Sequence, residues 1–123
     1  MTPFGRRVRE LRTAKGVSQK EMAAALGVSA AWLSALENGQ RGRPGWEFIQ
    51  RVIAYFNVIW DDADELQELA RISHPRIVVD TSGLSPEATE FANLVSERIR
   101  LLSSEDLADL VFEVKRRSQR RKR

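Results

Sequence analysis

The stretch from Ser18 to Gly39, SQKEMAAALGVSAAWLSALENG, constrains the possible fold of this chain more than any other segment. Ser18 can cap a helix, and Glu21, three residues later, completes the capping-box pattern. Gly27 suits the left-handed backbone that ends a helix, and Ser29 can cap the next one. That next segment stops at an Asn-Gly pair whose second member is Gly39. The stretch therefore predicts two short helices joined by a tight turn.

Helical spacing of apolar residues continues on both sides of this stretch. Thr2 can cap a first helix that carries Pro3 at its first position, where the missing N–H costs nothing. The spacing also predicts a fourth helix from about Trp46 to Phe56 and a fifth over residues 61–72. The chain is therefore expected to be all-α, with five short helices packed into one N-terminal domain. The side chains expected to face its core are Phe4, Val8, Leu11, Met22, Ala23, Leu26, Leu33, Leu36, Ile49, Val52, Ile53, Phe56, Leu66, Leu69 and Ala70.

The character of the chain changes after Ile72. Pro, Gly and Ser residues surround a short β-branched run at residues 77–79, which is either part of a linker or a single extended strand. Ser85 then caps a helix, and a second helix follows from Ser103 or Ser104. The two apolar stripes predict a helical hairpin that either folds back on the N-terminal domain or, as we favour, packs on a second subunit. The expected divisions are a domain at 1–72, a linker at 73–85, the hairpin at 86–114 and a basic tail at 115–123.

The net charge of +3 hides an uneven distribution. Residues 1–60 carry nine Lys or Arg residues and four Asp or Glu residues. Residues 61–113 carry four basic and thirteen acidic residues, and the last ten residues carry seven basic and no acidic residues. A basic head and a basic tail around an acidic middle indicate one nucleic-acid-binding face and one part that faces solvent or protein.

Composition also excludes several classes of function. With no Cys and one His, the chain has neither a disulfide framework nor a His/Cys metal site. It lacks a Gly-rich phosphate loop and a nucleophile–base pair, so we expect neither an enzyme nor a cofactor. No apolar run approaches the about 20 residues of a membrane span, and the N-terminus lacks a secretory signal, so a cytoplasmic location is expected.

Several short motifs occur in a fixed order between residues 3 and 72. They are Arg12, SQxExA at 18–23, GVS at 27–29, LSxLENG at 33–39, RGRP at 41–44 and FNVIWDDADELQELA at 56–70. With these motifs, residues 3–72 resemble the phage repressor/Cro-type (Xre-like) helix-turn-helix family. The resemblance implies a five-helix repressor-like domain that binds DNA as a dimer on two-fold symmetric operators, usually to repress a nearby promoter. It also implies that Arg12 and Glu37 form a pair that ties the first helix to the third.

The DNA contacts are expected on the second and third helices and on the turn that follows them. Gln19 lies at the start of the second helix, where free N–H groups favour a phosphate, and its amide can reach either DNA or the neighbouring helix. Arg41 and Arg43 are candidates for phosphate or minor-groove contacts. Asn38 either contacts a phosphate or closes the third helix.

The third helix carries few of the side chains that read bases. Guanine is read by Arg or Lys and adenine by Asn or Gln, and none of these occupies the outward positions at its start. We therefore expect recognition to depend more on DNA shape than on base edges. Trp32 lies either against the DNA backbone or against the second helix or the 40–45 turn. The remaining candidate contacts on this helix are Ser29, Ala30, Ala31 and Ser34.

Two functions fit these observations. The first is a homodimeric transcriptional regulator, most simply a repressor, bound to a double-stranded DNA operator. The second is an antitoxin or another partner-binding protein that represses its own operon. In either case the basic tail, with Arg116, Arg117, Arg120 and Arg121, is a further candidate for DNA contact.

Overall fold

A computed structural model describes residues 1–40 and 44–119 and divides the chain into two compact units, Met1–Ile77 and Val78–Arg123. Among the described residues, the first unit contains five helices and the second contains two helices and a short 3-10 turn. The bounds are α1 Pro3–Lys15, α2 Gln19–Leu26, α3 Ala30–Glu37, α4 Trp46–Tyr55, α5 Trp60–Arg71, α6 Pro86–Arg98, the 3-10 turn Ile99–Leu101 and α7 Ser104–Gln119.

The helix ends follow the local signals in the sequence. The Thr2 hydroxyl accepts from the Gly5 amide at the start of α1, and Ser18 and Glu21 form the expected capping box on α2. Gly16 and Gly27 end α1 and α2 with φ values of 76° and 74°. These positive φ values are accessible to glycine without the penalty that a Cβ imposes. The predicted turn between α2 and α3 is therefore confirmed.

The core lies between the five helices of the first unit. Most of the side chains expected there are buried, but Leu11, Ile53, Phe56 and Leu69 are only partly buried against its edge. The sequence pattern missed Phe48, which is buried on α4 one position before Ile49. The buried apolar residues are Phe4, Val8, Met22, Ala23, Leu26, Leu33, Leu36, Phe48, Ile49, Val52, Leu66 and Ala70.

A hydrogen bond joins the two ends of the first unit. The Phe4 amide donates to the Ser73 hydroxyl at 2.9 Å, and that hydroxyl donates to the Leu69 carbonyl. The first N–H groups of a helix have no partner within the helix, and a buried one that stays unpaired costs free energy. Ser73, just after α5, therefore completes the N-terminus of α1 and belongs to the same compact unit, Met1–Ile77.

The contact between α1 and α3 depends on Gly5. A Cβ atom at this position would lie 2.6 Å from the Leu36 carbonyl oxygen and 2.9 Å from the Glu37 carbonyl oxygen. Because both are backbone atoms, they cannot move aside as a flexible side chain would. The absence of a side chain at Gly5 thus sets how closely α1 approaches the C-terminal half of α3.

The second unit buries none of its described side chains. Ser85 caps α6, and Ser103 caps α7 by accepting from the Asp106 amide. The segment at residues 77–79 forms no strand, and the structure contains none among residues 1–40 and 44–119. The all-α prediction is confirmed, and the chain at 77–79 is a link without regular secondary structure. No helix within those ranges is both long and apolar enough to cross a membrane.

We expect Gly5→Ala to lower the free energy of unfolding by about 2 kcal/mol. In an ordinary helix this change would stabilise by up to about 1 kcal/mol, but here the overlap with the α3 backbone outweighs the gain in helix propensity. Urea unfolding followed by circular dichroism measures the difference.

Gly45→Ala is the matched control, because among residues 1–40 and 44–119 no atom beyond its immediate chain neighbours lies within 4 Å of a Cβ at Gly45. Its cost should stay within about 1 kcal/mol, the loss of a glycine N-cap. A Gly5→Ala protein as stable as the parent would show that α1 does not depend on this close approach.

Candidate nucleic-acid interface

The two faces of α3 differ in burial. Leu33, Leu36 and Glu37 are buried against the other helices, whereas Ala30 and Ala31 at the start of the helix are exposed. Ser29, also exposed, uses its hydroxyl oxygen to accept from the Trp32 amide. The start of α3 therefore presents small side chains outward, and its hydrophobic residues fix the helix to the core.

Trp32 packs inside the unit. Its indole lies edge-on to the ring of Phe48 on α4, with 4.8 Å between the centroids and 68° between the planes. The sequence left open the DNA backbone, α2 and the 40–45 turn as partners of Trp32. The structure shows this contact with α4, and residues 41–43 of the turn lie outside the described residues. Aromatic edge contacts of this kind are worth about 1 kcal/mol beyond the area they bury. Trp32 thus connects α3 to α4, and the partly buried Ser34 lies two residues further along α3.

A buried carboxylate joins α1, α2 and α3. The Glu37 side chain has no exposed surface, and Arg12 donates from Nε to its Oε2 at 3.0 Å and from Nη2 to its Oε1 at 3.2 Å. Arg9 Nε and Gln19 Nε2 donate to the same Oε1 at 3.3 and 3.1 Å. Four donors from two helices therefore surround one carboxylate at the end of α3. We call the set of Arg9, Arg12, Gln19 and Glu37 the Glu37 network.

These donors keep Glu37 ionised. Burial raises the pKa of this carboxyl, but the hydrogen bonds from Arg12 and Gln19, together with the positive charge of Arg12, outweigh burial and lower it below its usual value of 4.5. A buried carboxylate without such partners would instead become neutral. The Glu37 network is therefore held together by charge near neutral pH.

The Glu37 network also decides the position of Gln19. Of the two alternatives that the sequence left open for its amide, the structure shows the contact with the neighbouring helix. The side chain is nevertheless only partly buried and sits at the first position of α2. Because an amide nitrogen carries two hydrogens, the bond to Glu37 leaves one for another acceptor.

Two residues that the sequence reasoning did not single out support the ends of α2 and α4. Arg51 Nη1 donates to the Leu26 carbonyl at 3.3 Å, and Lys15 Nζ donates to the Tyr55 carbonyl at 3.1 Å. Cations at helix C-termini satisfy free carbonyls and complement the helix dipole. Both contacts span at least 25 residues of sequence, so local patterns do not indicate them.

The other predicted contact residues are distributed over both units. Asn38 is exposed at the end of α3, whereas Arg41 and Arg43 lie outside the described residues. In the second unit, Arg116 and Arg117 are exposed and both bond to Glu113. Those two hydrogen bonds lower the pKa of Glu113 to about 2. The tail residues Arg120 and Arg121 lie outside the described residues as well.

Comparison with known proteins identifies the family to which the N-terminal unit belongs. Residues 3–74 match the model of the family described as "Helix-turn-helix domain", more than half of the chain. The chain belongs to the helix-turn-helix domain family. The resemblance to Xre-like regulators, inferred from the 18–39 stretch and its surroundings, is therefore confirmed.

A bacterial protein named as a transcriptional regulator aligns with half of this chain. An uncharacterized HTH-type transcriptional regulator of Bacillus subtilis (strain 168), RghRB, is 37% identical over 62 residues, which are 50% of this chain and 45% of that protein. The chain thus spans about half the length of this relative. Among solved structures, a chain of the SinR protein/SinI protein complex aligns with a TM-score of 0.45 and 23% identity, over 94% of this chain and 98% of the other.

The depressed pKa of Glu37 predicts how stability depends on pH. The ionised network contributes stability above the ordinary carboxyl pKa of 4.5, and this contribution is lost as the pH falls through the lower pKa of the folded state. Glu37→Gln should cost about 3 kcal/mol at pH 7, and the difference from the parent should shrink steadily below pH 4.5. Urea unfolding between pH 3 and 8 measures this difference in the free energy of unfolding.

Glu10→Gln provides the matched control. Glu10 is exposed on α1 and bonds to Arg7 at 3.4 Å, so its replacement should cost less than about 1 kcal/mol. A constant difference between Glu37→Gln and the parent across the acid range would contradict the charged network.

Proposed function

We propose that this protein is a transcriptional regulator that binds double-stranded DNA as a homodimer and represses a nearby promoter. The observation that carries the proposal is the helix-turn-helix itself, in which α3 is anchored by its buried face and presents the start of the helix outward. A helix presented in this way fits the major groove. Membership of the family supports DNA binding, and a regulator of this kind acts in the cytoplasm without being an enzyme.

Contacts to the DNA backbone carry much of the affinity in this proposal. The exposed side chains at the start of α3 are Ser29, Ala30 and Ala31, which offer a hydroxyl and two methyl groups to the bases. Gln19, Arg41 and Arg43 would bind phosphates or the minor groove and so place α3. Site choice then depends partly on how easily a DNA sequence adopts the required shape.

Pairing of two subunits would come from the second unit. Apolar side chains recur at helical spacing along α6 and again along α7, and they are largely exposed in the single chain. Apolar stripes of this extent mark surfaces that bind protein. We propose that two copies pack these stripes together, so that the dimer supplies one α3 helix to each of two half-sites about 34 Å apart on the DNA. The residues of the stripes include Phe91, Leu94 and Val95 on α6, Ile99 in the 3-10 turn that follows it, and Leu110, Val111 and Val114 on α7.

Phe91→Asp should disrupt the dimer. Phe91 is 58% exposed in the single chain, so the change introduces a charge without opening a core. Two-fold symmetry puts it on both sides of the interface, and we expect the dimer to weaken by about a hundredfold or more. Sedimentation velocity over nanomolar to micromolar protein measures this.

Asn93→Asp adds the same charge two positions further along α6, away from the apolar stripe, and should leave the dimer intact. The fragment Met1–Ile77, which retains Ser73 and its bond to α1, should be monomeric. A dimeric fragment would overturn the assignment to the second unit. A full chain that stays monomeric and copurifies with a different protein would instead favour the partner-binding alternative.

The basic tail should increase DNA affinity through its charge. Replacing the Lys and Arg residues of 115–123 by Gln should weaken binding to DNA and make it less sensitive to salt, because fewer counterions are released. Replacing only its Arg residues by Lys keeps the charge and should keep the salt dependence. Equal salt slopes for the Gln tail and the parent, in fluorescence anisotropy titrations, would leave the tail without a role in DNA binding.

A further inference from the structure

Arg9 occupies a distinctive position beside the end of α3. Its Nε donates to Glu37 Oε1 at 3.3 Å, and its Nη2 donates to Asn38 Oδ1 at 2.8 Å. The side chain is still 39% exposed, so its guanidinium lies at the boundary between the buried network and the surface. Arg9 thus connects Glu37 to an exposed residue at the end of the recognition helix.

Arg12 contrasts with Arg9 although it shares the same carboxylate. Its Nε and Nη2 donate to Glu37, its Nη1 donates to the Val17 carbonyl at 3.2 Å, and only 18% of its side chain is exposed. Arg12 therefore has a structural role, because each of its three nitrogens donates to a group within the protein. Arg9 Nη1, by contrast, has no protein acceptor within residues 1–40 and 44–119.

The charges of the network do not cancel. One buried carboxylate faces two guanidinium groups, which leaves one positive charge, and the more exposed of the two groups is Arg9. An anion that approached the end of α3 would find this charge there. The free carbonyls at the helix C-terminus repel anions, but a full positive charge outweighs the partial charge of the helix end.

The contact with Arg9 also fixes the orientation of the Asn38 amide. A guanidinium has only donors, so the Asn38 oxygen must face Arg9 and its NH₂ group must face elsewhere. That NH₂ group lies 3.5 Å from the Ser34 hydroxyl, at the outer limit of a hydrogen bond, and it remains a donor for an external acceptor. The two neighbouring side chains therefore both offer N–H donors at one place.

We propose that Arg9, together with Asn38, binds a phosphate of the DNA backbone at the end of α3. The proposal rests on the proposed DNA-binding function and adds a contact from α1, outside the helix-turn-helix. A phosphodiester oxygen matches the guanidinium and the amide in charge and in hydrogen bonding. Glu37 acts here as a positioning residue, since it holds Arg9 at this surface through Nε.

The test compares Arg9→Met with Arg7→Met on a 30-base-pair duplex of mixed sequence. Arg7 lies two residues earlier on α1 and pairs with Glu10 and Glu65, so Arg7→Met removes the same charge from another surface. We expect Arg9→Met to lower DNA affinity about fivefold near 0.1 M salt and to reduce the salt slope by about 1. Arg7→Met should leave the slope within error of the parent.

Asn38→Asp is a second variant that does not depend on removing Arg9. Its carboxylate keeps an acceptor for Arg9 but places a negative charge where the phosphate would bind, so affinity should fall more than in Arg9→Met. Arg9→Lys keeps the positive charge and should retain the salt slope. Circular dichroism at the titration temperature shows that each variant is folded.

A purely structural role for Arg9 predicts a different set of results. Arg9→Met would then unfold at a lower temperature but bind DNA with the parent slope, and Asn38→Asp would bind as the parent does, which overturns the proposal. If the parent itself shows no salt-dependent DNA binding, the proposed function fails, and this inference fails with it. The two failures are thus distinguished by the parent titration alone.

Discussion

The arrangement of the helix-turn-helix depends on the hydrogen bonds that the buried carboxylate of Glu37 accepts. The carboxylate receives hydrogen bonds from Arg9 and Arg12 on α1 and from Gln19 on α2, and it lies at the end of α3. The orientation of the recognition helix relative to the other two is thereby fixed by charge as well as by apolar packing. Breaking a buried pair from one side is costly, although such a pair adds little compared with a well-packed apolar core. The network therefore serves geometry more than stability.

Local signals were sufficient to predict most of the helices. Capping residues such as Ser18 and Ser29 and the glycines that end α1 and α2 act within a few residues, and the structure places the helix ends where those residues indicate. Contacts over long sequence distances were not predictable in this way. The bond from Phe4 to Ser73 is one example, and the packing of Gly5 against the backbone of α3 is another.

In the candidate site, too, local features were predictable from the sequence and contacts between distant residues were not. The sequence indicated Gln19 and the start of α3, because a position at a helix N-terminus is a local property. It gave no prominence to Arg9, although Arg9 lies three residues before Arg12 and so on the same side of α1. The three-residue spacing from Arg12 was the signal in the sequence that could have indicated Arg9. Only the fold shows that Glu37 and Asn38 lie beside Arg9. The alanine-rich start of α3 and the backbone donors around it together favour a regulator that reads DNA shape as well as bases.

Genome-wide mapping of the bound sites, followed by hydroxyl-radical footprinting of the strongest one, tests the central claim most directly. A homodimer that places one α3 in each of two successive major grooves should enrich an inverted repeat with half-sites about 10 base pairs apart, protected on one side of the duplex. Footprints should include backbone positions flanking each half-site. A map with no enriched sequence, or strong sites that contain one half-site without symmetry, would contradict a symmetric DNA-binding dimer.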